Sequence, residues 1–378
     1  MTLVAGARVV TPSGVLDQGW IRVADGRIAE LGAGPPPAGG ARDLGGAWVV
    51  PGFVDLHVHG GGGASYTTGD ADSARAAVAF HRAHGTTTTL ASLVTADLAE
   101  LDRGVRMLAE LTREGAIAGV HLEGPYLSPA HAGAHDPGAL RAPDRAELDA
   151  LFAAGAGTVR MVTLAPELPG ALELVRRTVA AGAVAAVGHT DATYAQARAA
   201  FDAGARVATH LFNAMRALHH REPGPALAAL DDERVVVELI CDGVHLHDAV
   251  AAHALATAGP ARAALVTDAM VAAGMPDGRY ELGPMDVEVT GGTARLVRGG
   301  SIAGSTLTMD AAVRRAVRVL GVPMADAVRA AATTPARVLG LERDVGALAP
   351  GLRADLVVLD DELAAAAVMR RGDWLAPA

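Results

Sequence analysis

The sequence predicts an α/β protein: a (β/α)8 TIM barrel with a second, small β-sandwich domain built from both chain termini. Three observations carry that expectation. Eight apolar runs alternate with amphipathic, alanine-rich stretches across residues 50–344, the repeat number and length of a barrel. Both ends of the chain read instead as short strands separated by Gly/Pro turns. At 378 residues, 51% hydrophobic, the chain is long enough for more than one core, yet it holds no run of about 18 uncharged apolar residues.

Residues 1–49 supply strands at Leu3–Val10, Trp20–Val23 and Arg27–Leu31, then a loop at Gly32–Gly40. The barrel strands expected within 50–344 are Phe53–Val58, Thr86–Ser92, Ile117–Leu122, Val159–Leu164, Val184–Val187, Arg206–Thr209, Val235–Ile240 and Ala263–Thr267. Helices are expected at Asp72–His84, Asp97–Glu114, Leu168–Ala181 and Ala192–Ala203. An open doubly wound sheet uses the same alternation, but no GxGxxG fingerprint follows the first strand to support it. Arg279–Ser301 reads as an inserted hairpin region, followed by helices at Thr306–Leu320 and Pro323–Leu339. Residues 345–378 return to strand, with Ala354–Leu359 after the turn-rich Gly346–Gly351, then Ala364–Arg370.

Charge narrows the function. The net charge of −10 argues against nucleic-acid binding and against an anionic membrane surface. All 32 basic residues are arginine. The absence of lysine excludes a Schiff base, a phosphate-loop lysine and a carbamylated lysine bridging two metals. A single cysteine, Cys241, excludes an intramolecular disulfide, and no basic-then-apolar leader opens the chain, so a cytoplasmic location is expected.

Barrel enzymes place their chemistry at the C-terminal ends of the strands. Those ends carry His57 and His59, Glu123, His189, His210 and Asp268. With a β/α unit of about 20–35 residues, their spacing puts them after strands one, three, five, six and eight, converging on one mouth. His57 and His59, two apart on a strand, face the same side. Taken singly, each has an ordinary explanation: a core histidine, or a carboxylate capping a helix. Together they point to a first-row metal site, and imidazole with carboxylate but no thiolate suits Zn2+ or Fe2+.

The segments PGFVDLHVHG, HLEGPYL, GAHDP, GHTDAT, THLFNAM, REPG, DGVH, TDAM and IAGSTLTM resemble the N-acetylglucosamine-6-phosphate deacetylases of the amidohydrolase superfamily. The resemblance runs from Pro51 to about Met309, and GALAPGLRADLVVLD is similar to the superfamily's C-terminal strand return. It implies hydrolysis of the acetamide of N-acetylglucosamine 6-phosphate to glucosamine 6-phosphate and acetate, with one or two divalent cations per subunit. Glu123 stands where many relatives in the superfamily use the bridging lysine. The resemblance makes Glu123, His189 and His210 the principal metal ligands and gives His57 and His59 a part in a second site. It makes Asp268 the general base and acid, and His135 the group that polarises the carbonyl. It assigns the phosphate and sugar to Arg221, His245 and the backbone of Asn213 and Ala214, shared across a homodimer interface. The loop Ser128–Gly133 lacks the basic residues that relatives often carry there.

Three rival functions share parts of this pattern. A cyclic-amide hydrolase needs the bridging lysine, and a deaminase needs a glutamate proton donor that GHTDAT lacks. A sugar-phosphate sensor on a retained barrel would be marked by loss of the general base, whereas Asp268 is present.

Overall fold

Strands buried on both faces read as continuous apolar or small-residue runs, and the barrel is made of such runs. The structure, a computed structural model, describes residues 2–376. Its barrel strands are, in order, Phe53–Asp55, Thr86–Leu93, Gly119–Glu123, Val159–Leu164, Val184–Val187, Val207–Ala208, Val236–Leu239 and Ala263–Leu265. Each pairs in parallel with the next. The ring is drawn together just beyond strands one and eight, where Asp268 N donates to His57 O and His59 N to Ala269 O, both at 2.8 Å. All eight strands therefore open their C-terminal ends onto one mouth.

Helices cover the outside by burying one stripe each. Leu98–Arg113 starts at Asp97, whose side chain accepts from Glu100 N, and buries Leu101, Val105, Leu108 and Leu111. Pro323–Leu339, expected as one helix, is instead Met324–Val328, a π-helical turn at Arg329–Thr333, and Thr334–Val338. Pro335 has no N–H to offer the carbonyl four residues earlier, so the regular ladder is interrupted just before it.

The terminal sheet holds eight strands. Its order is Asp373–Trp374, Ala365–Arg370, Leu356–Leu359, Trp48–Pro51, Thr2–Thr11, Gly14–Ala24 and Arg27–Ala33, with Arg42–Asp43 also pairing on Thr2–Thr11. Ile21, Val23 and Ile28 from one end of that order pack in one cluster with Leu356, Val358 and Met369 from the other. The sheet thus curls over its own apolar face, and the layers of the expected sandwich are continuous. Trp48–Pro51 belongs to this sheet and straddles the expected boundary at residue 50.

The expected hairpin region is a three-stranded antiparallel flap: Gly278–Leu282, Met285–Thr290 and Thr293–Leu296. Its Leu282, Val287, Val289 and Leu296 pack with Val94, Met270 and Ala303, which seats the flap beside the barrel mouth.

Candidate functional site

Glu123, the last residue of barrel strand three, is almost fully buried and stands between two pairs of histidines. Its Oε1 lies 3.1 Å from His189 Nε2 and 3.1 Å from His210 Nε2. Its Oε2 lies 3.3 Å from His57 Nε2 and 3.1 Å from His59 Nε2. Asp268 Oδ1 adds a second carboxylate, 3.2 Å from His59 Nε2 and 3.5 Å from His57 Nε2.

The outer nitrogens decide what the inner ones present. His59 Nδ1 faces Ser92 O at 3.2 Å, and His189 Nδ1 faces His131 O at 2.9 Å. A carbonyl only accepts, so both rings donate from Nδ1 and turn a bare Nε2 lone pair inward. His189 Nε2 meets His210 Nε2 at 3.0 Å, and His57 Nε2 meets His59 Nε2 at 3.2 Å. Lone pairs and carboxylate oxygens packed together in this way call for a cation. Ligands about 2.0–2.1 Å from a tetrahedral metal would sit about 3.3–3.4 Å apart. The donor set fits a divalent ion.

With no cation present, the carboxylates draw protons onto the inner ring nitrogens, which a metal would displace. Burial pushes the His59 pKa down, but hydrogen bonds to Asp268 and Glu123 outweigh it and lift the value to about 9. Burial likewise opposes ionisation of Asp268, yet His57 and His59 hold its carboxyl well below the usual range. His135 is pushed down to about 4, chiefly by burial. Beneath the cluster, burial raises Asp55 to about 7, with Thr267 Oγ1 donating to its Oδ2 at 2.6 Å and tying strand one to strand eight.

The backbone aims three of these side chains. His189, His210 and Asp268 have φ of +46°, +28° and +48°. That left-handed region is uncommon for residues with a side chain, and such positions are often held by the structure around a functional site.

A cavity of about 370 Å³ opens over the cluster. His59, Glu123, His135, His189, His210 and Asp268 form its polar floor, while Val94, Ala134, Leu282 and Ile302 give it an apolar wall. Asn213, Ala214 and His245 also line it. Asp242 holds the His245 ring, with Oδ2 2.7 Å from Nδ1. The Ser128–Gly133 loop contributes Ala130, His131 and Gly133. His57 lies beneath, fully buried. Arg221 is outside the cavity: it is exposed, with Nη1 2.7 Å from His220 Nε2.

Sequence reasoning missed the residues under the floor. His121 spans Ser92 Oγ and Thr163 Oγ1 at 2.9 and 2.8 Å, and Glu238 lies against His57. The available signal for Glu238 was a lone carboxylate within the apolar run Val235–Ile240.

Residues 48–375 match the amidohydrolase family. The N-acetylgalactosamine-6-phosphate deacetylase of Escherichia coli O157:H7 is 42% identical over 361 residues, covering 94% of each chain. The N-acetylglucosamine-6-phosphate deacetylase of Bacillus subtilis is 33% identical, covering 98% of this chain and 96% of its own. Among solved structures, N-acetyl-D-glucosamine-6-phosphate deacetylase from Mycobacterium smegmatis, a variant in complex with N-acetyl-D-glucosamine-6-phosphate, superposes with a TM-score of 0.96 at 53% identity, covering 99% of this chain and 98% of that one. The chain belongs to the N-acetylglucosamine-6-phosphate deacetylase family of amidohydrolases. Amidohydrolases work with divalent metal, and the cluster around Glu123 offers groups of His, Asp and Glu able to bind one.

Proposed function

We propose that the protein hydrolyses N-acetylglucosamine 6-phosphate to glucosamine 6-phosphate and acetate, in amino-sugar catabolism and cell-wall recycling. The observation that carries the reading is the ring of bare imidazole nitrogens around Glu123, with the Asp268 carboxylate on the cavity floor beside it. Glu123, His189 and His210 would hold the principal cation, and His57, His59 and Asp268 are grouped to hold a second. Zinc is the ion the donor set suits best, with iron(II) next. A divalent cation there supplies Lewis acidity and makes a water a stronger acid.

The protein's own residues supply the rest. Asp268 takes the proton of the attacking water and returns it to the leaving nitrogen. Thr95 N donates to His135 Nδ1 at 3.2 Å, so the remaining proton of the neutral ring sits on Nε2, which lies 3.4 Å from Glu123 Oε2 at the cavity floor and would turn to the acetamide oxygen when Glu123 holds a cation. Val94, Ala134, Leu282 and Ile302 offer an apolar surface to the acetyl methyl and the sugar face. His245, Asn213 and Ala214 serve the sugar-phosphate end.

The test is metal content together with acetate release. Stoichiometric metal and turnover of the phosphorylated substrate are expected; full metal content without turnover of any acetamido sugar phosphate would overturn the reading. The 42% identity to an N-acetylgalactosamine-6-phosphate deacetylase supports the 4-epimer as a second substrate, and the ratio of kcat/KM values decides between them.

Arg221, exposed outside its own cavity, supports a homodimer in which it reaches the partner's phosphate. Arg221→Ala should lower kcat/KM for the phosphorylated sugar by roughly 10- to 150-fold, about 1.5–3 kcal/mol for a lost charge-assisted contact. The unphosphorylated sugar should be nearly unaffected. Mixing Asp268→Asn with Arg221→Ala chains should restore activity; no recovery despite subunit exchange would confine Arg221 to its own subunit. A cytoplasmic location rests on the single cysteine; in addition, no helix among the described residues is long and apolar enough to cross a membrane.

A further inference from the structure

Glu238 lies in barrel strand seven with its side chain fully buried. Its Oε2 is 3.3 Å from His57 Nδ1 and 3.2 Å from His210 N. Among the described residues its Oε1 is buried with no hydrogen-bond partner, and no arginine pairs with the carboxylate. One oxygen therefore touches a ring just beyond strand one and the main chain of a residue after strand six.

We propose that Glu238 is a positioning residue for a second cation, acting through His57. The proposal rests on the metal-dependent reading above. A carboxylate oxygen against Nδ1 makes that nitrogen the donor, which leaves His57 Nε2 bare and facing Glu123 Oε2 and Asp268 Oδ1 at 3.3 and 3.5 Å. His59 and His189 are oriented by main-chain carbonyls, so in this cluster it is His57 whose outer nitrogen meets a carboxylate. A carboxylate partner makes the imidazole a better electron donor than a carbonyl does. Glu238 also adds a third buried carboxylate to a group that already holds Glu123 and Asp268. No arginine pairs with any of the three among the described residues, so the balancing positive charge falls to the histidines they face or to a cation that those histidines hold. By holding His210 N as well, Glu238 links a ligand of the second site to the backbone of a ligand of the first.

The experiment is a zinc titration of the metal-free protein against a competing chelator, with metal counted after desalting. Wild type should bind two equivalents. Glu238→Ala should weaken the second about 10- to 100-fold, the usual effect of losing such an outer partner, and leave the first within a few-fold. Glu238→Gln, near in shape and still able to accept from Nδ1, should recover part of the loss. In a His57→Gln background, Glu238→Ala should cost nothing more. A single equivalent in wild type, equal weakening of both equivalents, or an undiminished loss in the His57→Gln background would each overturn the proposal. The titration uses no substrate. A protein that binds two cations but hydrolyses no acetamido sugar phosphate would sink the deacetylase reading and leave Glu238 in place.

Discussion

At the N-terminal end of the barrel, arginines close off main-chain carbonyls; on the floor of the C-terminal mouth, Glu123 and Asp268 face histidines, and among the described residues no arginine pairs with either. Arg262 donates to Ala229 O, Leu230 O, Asp232 O and Val235 O, and Arg206 to Phe201 O and Ala205 O. Arg160 and Arg337 cap Leu339 O and Ala261 O. At the mouth, Glu123 and Asp268 meet His57, His59, His135, His189 and His210. At the N-terminal end, the fixed charge of these four arginines satisfies the backbone. The mouth is left with groups whose charge balance a bound cation completes. One end serves stability, and the other gives up stability for chemistry.

The largest expected effect tests the mouth. Asp268→Asn should lower turnover by 10²- to 10⁴-fold, about 3–5 kcal/mol of barrier, while the metal-free melting temperature does not fall. Activity within a few-fold of wild type would remove Asp268 from the proton path. Destabilisation of the metal-free variant would mean that the buried charges there help hold the fold, and the contrast would break.

Next comes the other end. Arg262→Ala should destabilise the protein by about 2–3 kcal/mol in urea unfolding, since it strips carbonyls of a charged donor. Activity per folded molecule should stay within about three-fold, because the residue sits at the start of strand eight, far along the barrel from the mouth. Lost activity with unchanged stability would reverse the roles assigned to the two ends.

The smallest effect separates a histidine beside carboxylates from one without them. His81 is buried in the helix Ala71–Ala83, and its Nε2 meets Gly60 O at 2.8 Å. Burial pushes its pKa down to about 4, against about 9 for His59 at the mouth. The unfolded chain, near 6.5, takes up the proton first, so stability falls as pH drops below 6.5 and levels off below about 4. Between pH 7 and 5, wild type should lose about 2 kcal/mol more than His81→Gln, whose amide can still donate to Gly60 O. Parallel pH profiles would show that His81 is not the titrating group.

The barrel was legible because each strand is a short run with no alternation to confuse it, as in Thr86–Leu93, buried at all eight positions. Strand six shrinks to Val207–Ala208 because Thr209 leads into the turn that swings His210 to positive φ, and no residue type announces that turn. The terminal sheet was harder. Gly14–Ala24 has no buried position before Gly19 and alternates buried with half-buried positions after it, so only its end, Trp20–Val23, stood out from the turns around it. Histidines and carboxylates at strand ends were readable because their types and spacing coincide. Glu238 was not, since one carboxylate within an apolar strand carries no spacing to compare. Arg221 lay in a recognisable motif, yet nothing in the motif states that its side chain is exposed outside the cavity.

The sheet that joins both chain ends also sets a clock for biosynthesis. Trp48–Pro51 pairs on one side with Thr2–Thr11 and on the other with Leu356–Leu359, a partner made about 300 residues later. At about 5–20 residues per second, the early strands wait roughly 15 to 60 s on the ribosome before that edge can be covered. For that interval an apolar edge is open to any other nascent strand. The barrel must therefore close beside an unfinished domain, and the last strands to be synthesised act as its latch.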